Sequence, residues 1–237
     1  QVLAPEVGEA LLPAAQRHAL VEKCRGLPPL VDALLEFDFA EGERVANLQQ
    51  RVGQGSQEIA LLQRDFAETG GSPIAAPVAK LLAQLLAVWQ KPNSPLYDTM
   101  FEVWLEYDFS IAASTHTPSV LIGLPQSLIS PQERWIAMQS ALDILLQGQW
   151  RAWRETLVRT MVACPPEAFV GHIGVNFVEN TNALRLHVKR LRAKTLARYL
   201  ELARWQGDIA EAVAQDERLY HFADQITLFV EVGTELS

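Results

Sequence analysis

The spacing of hydrophobic residues along this chain alternates between a period of two and a period near 3.6, which predict strands and helices respectively. The clearest period of two covers residues 101–109, where apolar side chains alternate with Glu102, Trp104, Glu106 and Asp108. Its second half, Leu-Glu-Tyr-Asp-Phe at 105–109, resembles Leu-Glu-Phe-Asp-Phe at 35–39. Both segments are typical of strands with one face toward solvent, so carboxylates are expected side by side on a sheet surface.

The remaining elements follow from the same two periods and from Gly and Pro breakers. Helical spacing predicts helices over residues 10–25, 43–69 (two helices hinged at 53–55), 77–90, 131–147, from 149 to about 164, 194–205 and 208–222. Alternating or short apolar runs predict strands late in 29–39 and over 101–109, 119–124, 168–179, 184–191 and 225–232.

This order of elements predicts an α+β protein with a largely antiparallel sheet and helices packed on one face. The second half follows a strand, strand, helix, helix order that would allow two tandem blocks. The breaker Lys-Pro-Asn-Ser-Pro at 91–95 marks the best candidate boundary. It would divide a mostly helical region, 1–95, from an α+β region, 96–237, although one continuous domain is equally compatible with the pattern.

Composition and charge narrow the class of protein. The chain has 237 residues, a hydrophobic fraction of 49% and a net charge of −8, which argues against nucleic-acid binding by the whole protein. No apolar run is long enough to cross a membrane, which predicts a soluble protein. Two distant cysteines, Cys24 and Cys164, suit free thiols in a reducing cytoplasm better than one long-range disulfide.

The charge is unevenly distributed, which suggests a docking surface. Residues 1–110 carry a balance of −7 and residues 148–198 one of +6. No acidic residue interrupts the basic run at 185–198, which includes Arg185, Lys189 and Arg192. These side chains extend into solvent, pair with acidic strands of the same molecule, or dock an anionic partner. Trp104, beside carboxylates on a predicted strand, is the candidate aromatic contact in such a binding surface.

Candidate catalytic groups are few. Glu106 and Asp108 lie two residues apart on one face of a predicted strand, and His187 lies on another strand. Such carboxylates can act as general acid and base or hold a cation, but an ordinary solvated face has the same pattern. A mixed nitrogen and oxygen metal site could be built from His172 and His187 with Glu106, Asp108 and Glu231, yet no spacing requires one. Hydrolase, nucleotide-phosphate and dinucleotide motifs are absent, so no cofactor or metal site is assigned.

A set of short segments in the second half of the chain consists of Pro118-Ser119-Val120, Gly123-Leu124, Leu184-Arg185-Leu186, Tyr199-Leu200, Trp205 and Val230-Glu231-Val232-Gly233. In these segments the chain resembles uncharacterised bacterial proteins encoded near peptide natural-product pathways. The resemblance brings no activity with it and favours a peptide-related accessory role.

Three functions are therefore compatible with the sequence. The first is an accessory protein that holds a peptide or protein partner, an acidic one among the candidates, on a sheet surface or edge with a basic docking patch. The second is an enzyme that uses strand-borne carboxylates. The third is a self-associating protein, suggested by a start without Met, which has a processed appearance, and by a last strand close to the end of the chain.

Overall fold

The computed structural model describes residues 13–25, 27, 30, 32–38, 45–67, 74–107, 117–125, 130–177, 184–221 and 226–233. Its helices are α1 Ala14–Cys24, α2 Glu58–Ala67, α3 Ala76–Trp89, α4 Pro131–Leu145, α5 Arg154–Val162, α6 Ala193–Ala203 and α7 Ile209–Leu219, and a short 3₁₀ helix covers Gln149–Trp153. Its strands are β1 Asp32–Asp38, β2 Val45–Gly53, β3 Glu102–Tyr107, β4 Ser119–Gly123, β5 Phe169–Val175, β6 Leu184–Lys189 and β7 Thr227–Val232.

The seven strands form one antiparallel sheet in sequence order, with β1 and β7 at its edges. This confirms the predicted α+β class. The order strand, strand, helix, helix occurs three times among these elements, from β1 to α3, from β3 to α5 and from β5 to α7, and β7 then closes the sheet. Because β2 pairs with β3, the sheet is continuous across residues 91–95.

The hydrophobic core lies between the helices and one face of the sheet. Alternate residues of β2 to β7, such as Val103 and Leu105 of β3 and Leu184 and Leu186 of β6, are buried in a single cluster with helix side chains such as Leu85 of α3. Alternation therefore turns the intervening strand residues to the opposite face. None of the described helices has the length and apolar character needed to cross a bilayer.

One predicted helix is wrong. The first half of the segment 43–69 forms β2, and only its second half is helical, as α2. Val45, Leu48 and Val52 are spaced like a helix face, but within β2 the buried positions are Leu48, Gln50 and Val52. A buried polar Gln50 hides the period of two, because it occupies a place where the pattern requires an apolar residue.

Candidate functional site

The face of the sheet turned away from the helices carries most of the charged and aromatic strand residues, and we call it the polar face. It comprises Asp32, Leu34 and Glu36 of β1, Gln49 and Arg51 of β2, Glu102, Trp104 and Glu106 of β3, Leu121 and Gly123 of β4, His172 and Gly174 of β5, Arg185, His187 and Lys189 of β6, and Thr227, Phe229 and Glu231 of β7. Leu121 illustrates the separation, since it is buried but lies outside the core cluster.

Five residues of the polar face form a row across the sheet. Strand register places Glu102 opposite Gly123, Gly123 opposite His172, His172 opposite His187, and His187 opposite Phe229. We call these five residues the lateral row. Glu102, His172 and His187 are each at most 7% exposed, although all three are polar and lie on the face without core packing.

Gly123 makes the row possible. A Cβ atom at this position would overlap the Cγ of Glu102 and approach the ring of Phe101. Because glycine has no side chain, the Glu102 carboxylate crosses β4 and reaches β5, where its Oε1 lies 2.8 Å from Nε2 of His172. Any other residue at 123 would occupy the space through which this contact is made.

Arg51 holds the other oxygen of the Glu102 carboxylate. Its Nε donates to Oε2 at 2.5 Å, and its Nη1 donates to Asp32 at 2.8 Å. The pKa of Arg51 is raised, first by the hydrogen bond to Asp32 and then by the one to Glu102. The guanidinium also lies 5.9 Å from the ring centre of Trp104, within cation–π range. A charged network therefore extends from the edge strand β1 to the centre of the sheet.

The environment of Glu102 favours its ionised form. Burial acts to raise the pKa of this carboxyl, but hydrogen bonds from His172 and Arg51 outweigh burial and hold the pKa below its usual value. The indole N–H of Trp104 contributes in the same direction, although it does not meet hydrogen-bond geometry. Glu102 is thus a fixed negative charge that orients the His172 ring.

His187 occupies a different environment from His172. Burial is the main cause that lowers the pKa of His187 to about 3, and the positive charges of Arg185 and Lys189 act in the same direction. Its ring lies 5.5 Å from the His172 ring and 4.3 Å from the Phe229 ring, measured between ring centres. Within the described residues, neither Nε2 of His187 nor Nδ1 of His172 has a hydrogen-bond partner, although both atoms are buried.

Arg185 is engaged with carboxylates on both sides. Its guanidinium lies 3.8 Å from Glu106 of β3 and 3.3 Å from Glu231 of β7. These contacts take up its charge within the sheet. Pairing with acidic strands of the same molecule was one of the sequence-based explanations of the basic run, and Arg185 is paired in this way.

Four basic residues that follow Arg185 make no ion pair with any residue that the structure describes. They are Lys189, at the end of β6, and the three residues that follow it, Arg190, Arg192 and Lys194, and we call these four the basic cluster. The cluster lies beside the start of β7, because Lys189 is the register partner of Thr227. The Tyr220 hydroxyl, just after α7, donates to the Leu191 carbonyl at 2.7 Å and fixes this turn.

The structure places the predicted site residues unequally. Glu106, His187, Trp104, Arg185 and Lys189 all lie on the polar face. Arg192 is exposed at the start of α6, beyond that face. Asp108 lies outside the described residues.

Sequence reasoning missed the two residues at the centre of the network, Arg51 and Glu102. Glu102, Trp104 and Glu106 occupy alternate positions on one strand, so the period of two could have placed the Glu102 side chain on the same face as the other two. Arg51 was hidden because its strand resembled a helix. Among the described residues, no group of three or more His, Cys, Asp or Glu side chains is arranged to hold a metal ion.

Comparisons of the chain with models of protein families, with curated proteins and with solved structures gave no match.

Proposed function

We propose that this chain is an accessory protein that binds an extended peptide or protein segment, adding it as a strand to β7 and docking acidic residues on the basic cluster. The observation that carries the proposal is the outer edge of β7. No described strand pairs with this edge, so its outward N–H and C=O groups form a template for strand addition.

The two edges of the sheet differ in how they are protected. β1 carries Asp32 and Glu36 on its polar face, and charged side chains on an edge strand discourage pairing with another chain. β7 reads Thr-Leu-Phe-Val-Glu-Val and carries one charged residue, Glu231. β-Branched and aromatic residues of this kind favour strand pairing. We therefore assign the binding edge to β7.

Phe229 is the natural hydrophobic contact for an added strand. Its side chain is 49% exposed, yet it is anchored on one side by the ring of His187. Cross-strand aromatic pairs stabilise sheets, so a large apolar residue opposite or diagonal to Phe229 would gain contact area. The exposed aromatic and the free backbone edge thus occur on the same strand.

The basic cluster indicates the charge of the partner. An added strand beside Thr227 would have one end close to Lys189, Arg190, Arg192 and Lys194, none of which forms an ion pair with a described carboxylate. Acidic residues at that end of the partner would be attracted to the cluster and would fix its direction along β7. The resemblance to proteins encoded near peptide natural-product pathways agrees with a peptide partner.

The proposal is tested by selecting ligands from a displayed library of random 12-residue peptides on the full chain. Selected peptides are expected to combine β-branched or aromatic residues with acidic residues near one end. Binding of a labelled peptide is then measured by fluorescence anisotropy. We expect Phe229→Glu, and separately the double variant Arg190→Glu/Arg192→Glu, to weaken binding at least tenfold.

A matched control makes the same change in net charge elsewhere. Arg154→Glu/Arg204→Glu alters exposed residues at the start of α5 and just after α6, and it should leave peptide affinity within twofold of wild type. Selection of basic peptides, or affinity that is unchanged in both the Phe229 variant and the cluster variant, would contradict the proposal.

A further inference from the structure

We propose that the chain binds a divalent transition metal ion of the zinc class between His172 and His187. This site lies one strand inward from the proposed peptide edge. It uses residues on adjacent strands that the peptide would not contact through its backbone.

The first observation is that the two histidines face each other across β5 and β6. They are direct register partners, and each is 93% buried by its neighbours on the polar face. Nδ1 of His172 and Nε2 of His187 are both buried without a hydrogen-bond partner in the described part of the chain. Two imidazole nitrogens that lack partners in a buried setting are costly, and a metal ion would satisfy both.

The second observation is the role of Glu102. Its carboxylate accepts the Nε2–H of His172 at 2.8 Å, which leaves the Nδ1 lone pair of the neutral ring available. The ring of His187 is the neighbour of this ring on β6, with 5.5 Å between the two ring centres. A carboxylate that orients a metal-binding histidine through its second ring nitrogen is the usual arrangement in zinc sites.

The spacing of the two rings agrees with a shared ion. Zn–N bonds of about 2.0 Å place each imidazole centre about 3 Å from the ion, so two rings at a tetrahedral angle have centres roughly 5 Å apart. The observed separation between the ring centres of His172 and His187 is 5.5 Å. The ring separation is therefore compatible with a shared ion.

The chemistry of the donors selects the class of metal. Two imidazoles suit Zn²⁺, Co²⁺, Ni²⁺ or Cu²⁺ and discriminate against Mg²⁺ and Ca²⁺, which prefer oxygen ligands. Since no described group of three or more suitable side chains exists, water or a ligand from outside the chain would complete the coordination. Arg185 and Lys189 place positive charges near His187, and these charges should weaken the binding of a cation.

The test uses the full chain, freed of any polyhistidine tag and stripped with EDTA. Co²⁺ is titrated by visible absorption and Zn²⁺ by calorimetry at pH 7.5. We expect one equivalent of each ion to bind. His172→Asn or His187→Asn should weaken binding at least tenfold, whereas His221→Asn, at an exposed position after α7, should not. Glu102→Gln keeps both ligands and should weaken binding about tenfold through loss of orientation.

A second measurement requires no variant. In ¹⁵N-histidine spectra of the wild type, Zn²⁺ should shift Nδ1 of His172 and Nε2 of His187 and leave the other histidines unchanged. The proposal is overturned if wild type binds no more tightly than the double His172→Asn/His187→Asn variant, or if only other histidines shift.

Discussion

Gly123→Ala is expected to lower the free energy of unfolding by about 2 to 4 kcal/mol, an unusually large effect for one added methyl group. The new Cβ would overlap the Cγ of Glu102, so the carboxylate would be forced away from His172 and from Arg51. The variant would combine overpacking with the loss of partners for a buried charge. Denaturant unfolding followed by tryptophan fluorescence measures this difference.

Gly53→Ala is the matched control. Gly53 is the other register partner of Glu102, on β2, and a Cβ at that position would meet no atom within 4 Å. The same chemical change should therefore leave stability within about 0.5 kcal/mol of wild type or raise it slightly, because alanine restricts the unfolded chain. Equal losses at 53 and 123 would contradict the steric account of the lateral row.

His187 is expected to make stability depend strongly on pH between 7 and 4.5. Its pKa is about 3 in the folded protein, chiefly because of burial, and about 6.5 in an unfolded chain. A lowered folded-state pKa contributes stability that is fully present above pH 6.5 and is lost as pH falls toward 3. By pH 4.5 the loss attributable to this residue should reach roughly 2 to 3 kcal/mol.

His187→Phe isolates that contribution. Phenylalanine keeps an aromatic ring beside Phe229 and cannot bind a proton, so the change in unfolding free energy between pH 7 and 4.5 should be smaller by roughly 2 to 3 kcal/mol than in wild type. His221→Phe, at an exposed position, controls for the loss of a histidine. The measurements are made with EDTA and above pH 4.5, because the stability provided by Glu102 with its lowered pKa is lost below about pH 4.3. Identical pH profiles for His187→Phe and wild type would refute the assigned environment.

The fold was largely predictable because local patterns dominate it. β3 alternates clearly, and α4 begins with Ser130 and Pro131, whose capping box with Glu133 is present in the structure. β2 was misassigned because the buried Gln50 breaks the alternation that identifies a strand. Whether a core position holds a polar side chain depends on the tertiary contacts around it, and local periodicity does not encode those contacts.

The site was predictable only in part, because its contacts depend on register across several strands. The sequence indicated that Trp104 and Glu106 share a face, which requires only the period of two. The link from Glu102 over Gly123 to His172 requires the pairing of β3, β4 and β5, including the irregularity between Val170 and His172. No spacing within one strand contains that information. The basic run was visible in the sequence. The sequence did not show that Arg185 forms ion pairs with described residues whereas the residues of the basic cluster do not.

The most direct test of the proposed function is amide hydrogen exchange on the full chain, with and without a selected peptide. Strand addition predicts new protection of backbone amides within Thr227–Val232, since the outward N–H groups of β7 would gain partners, and no new protection in β1. Protection confined to β1 or to the helices would contradict the account. So would β7 amides that are already protected without peptide through pairing with a second copy of the chain.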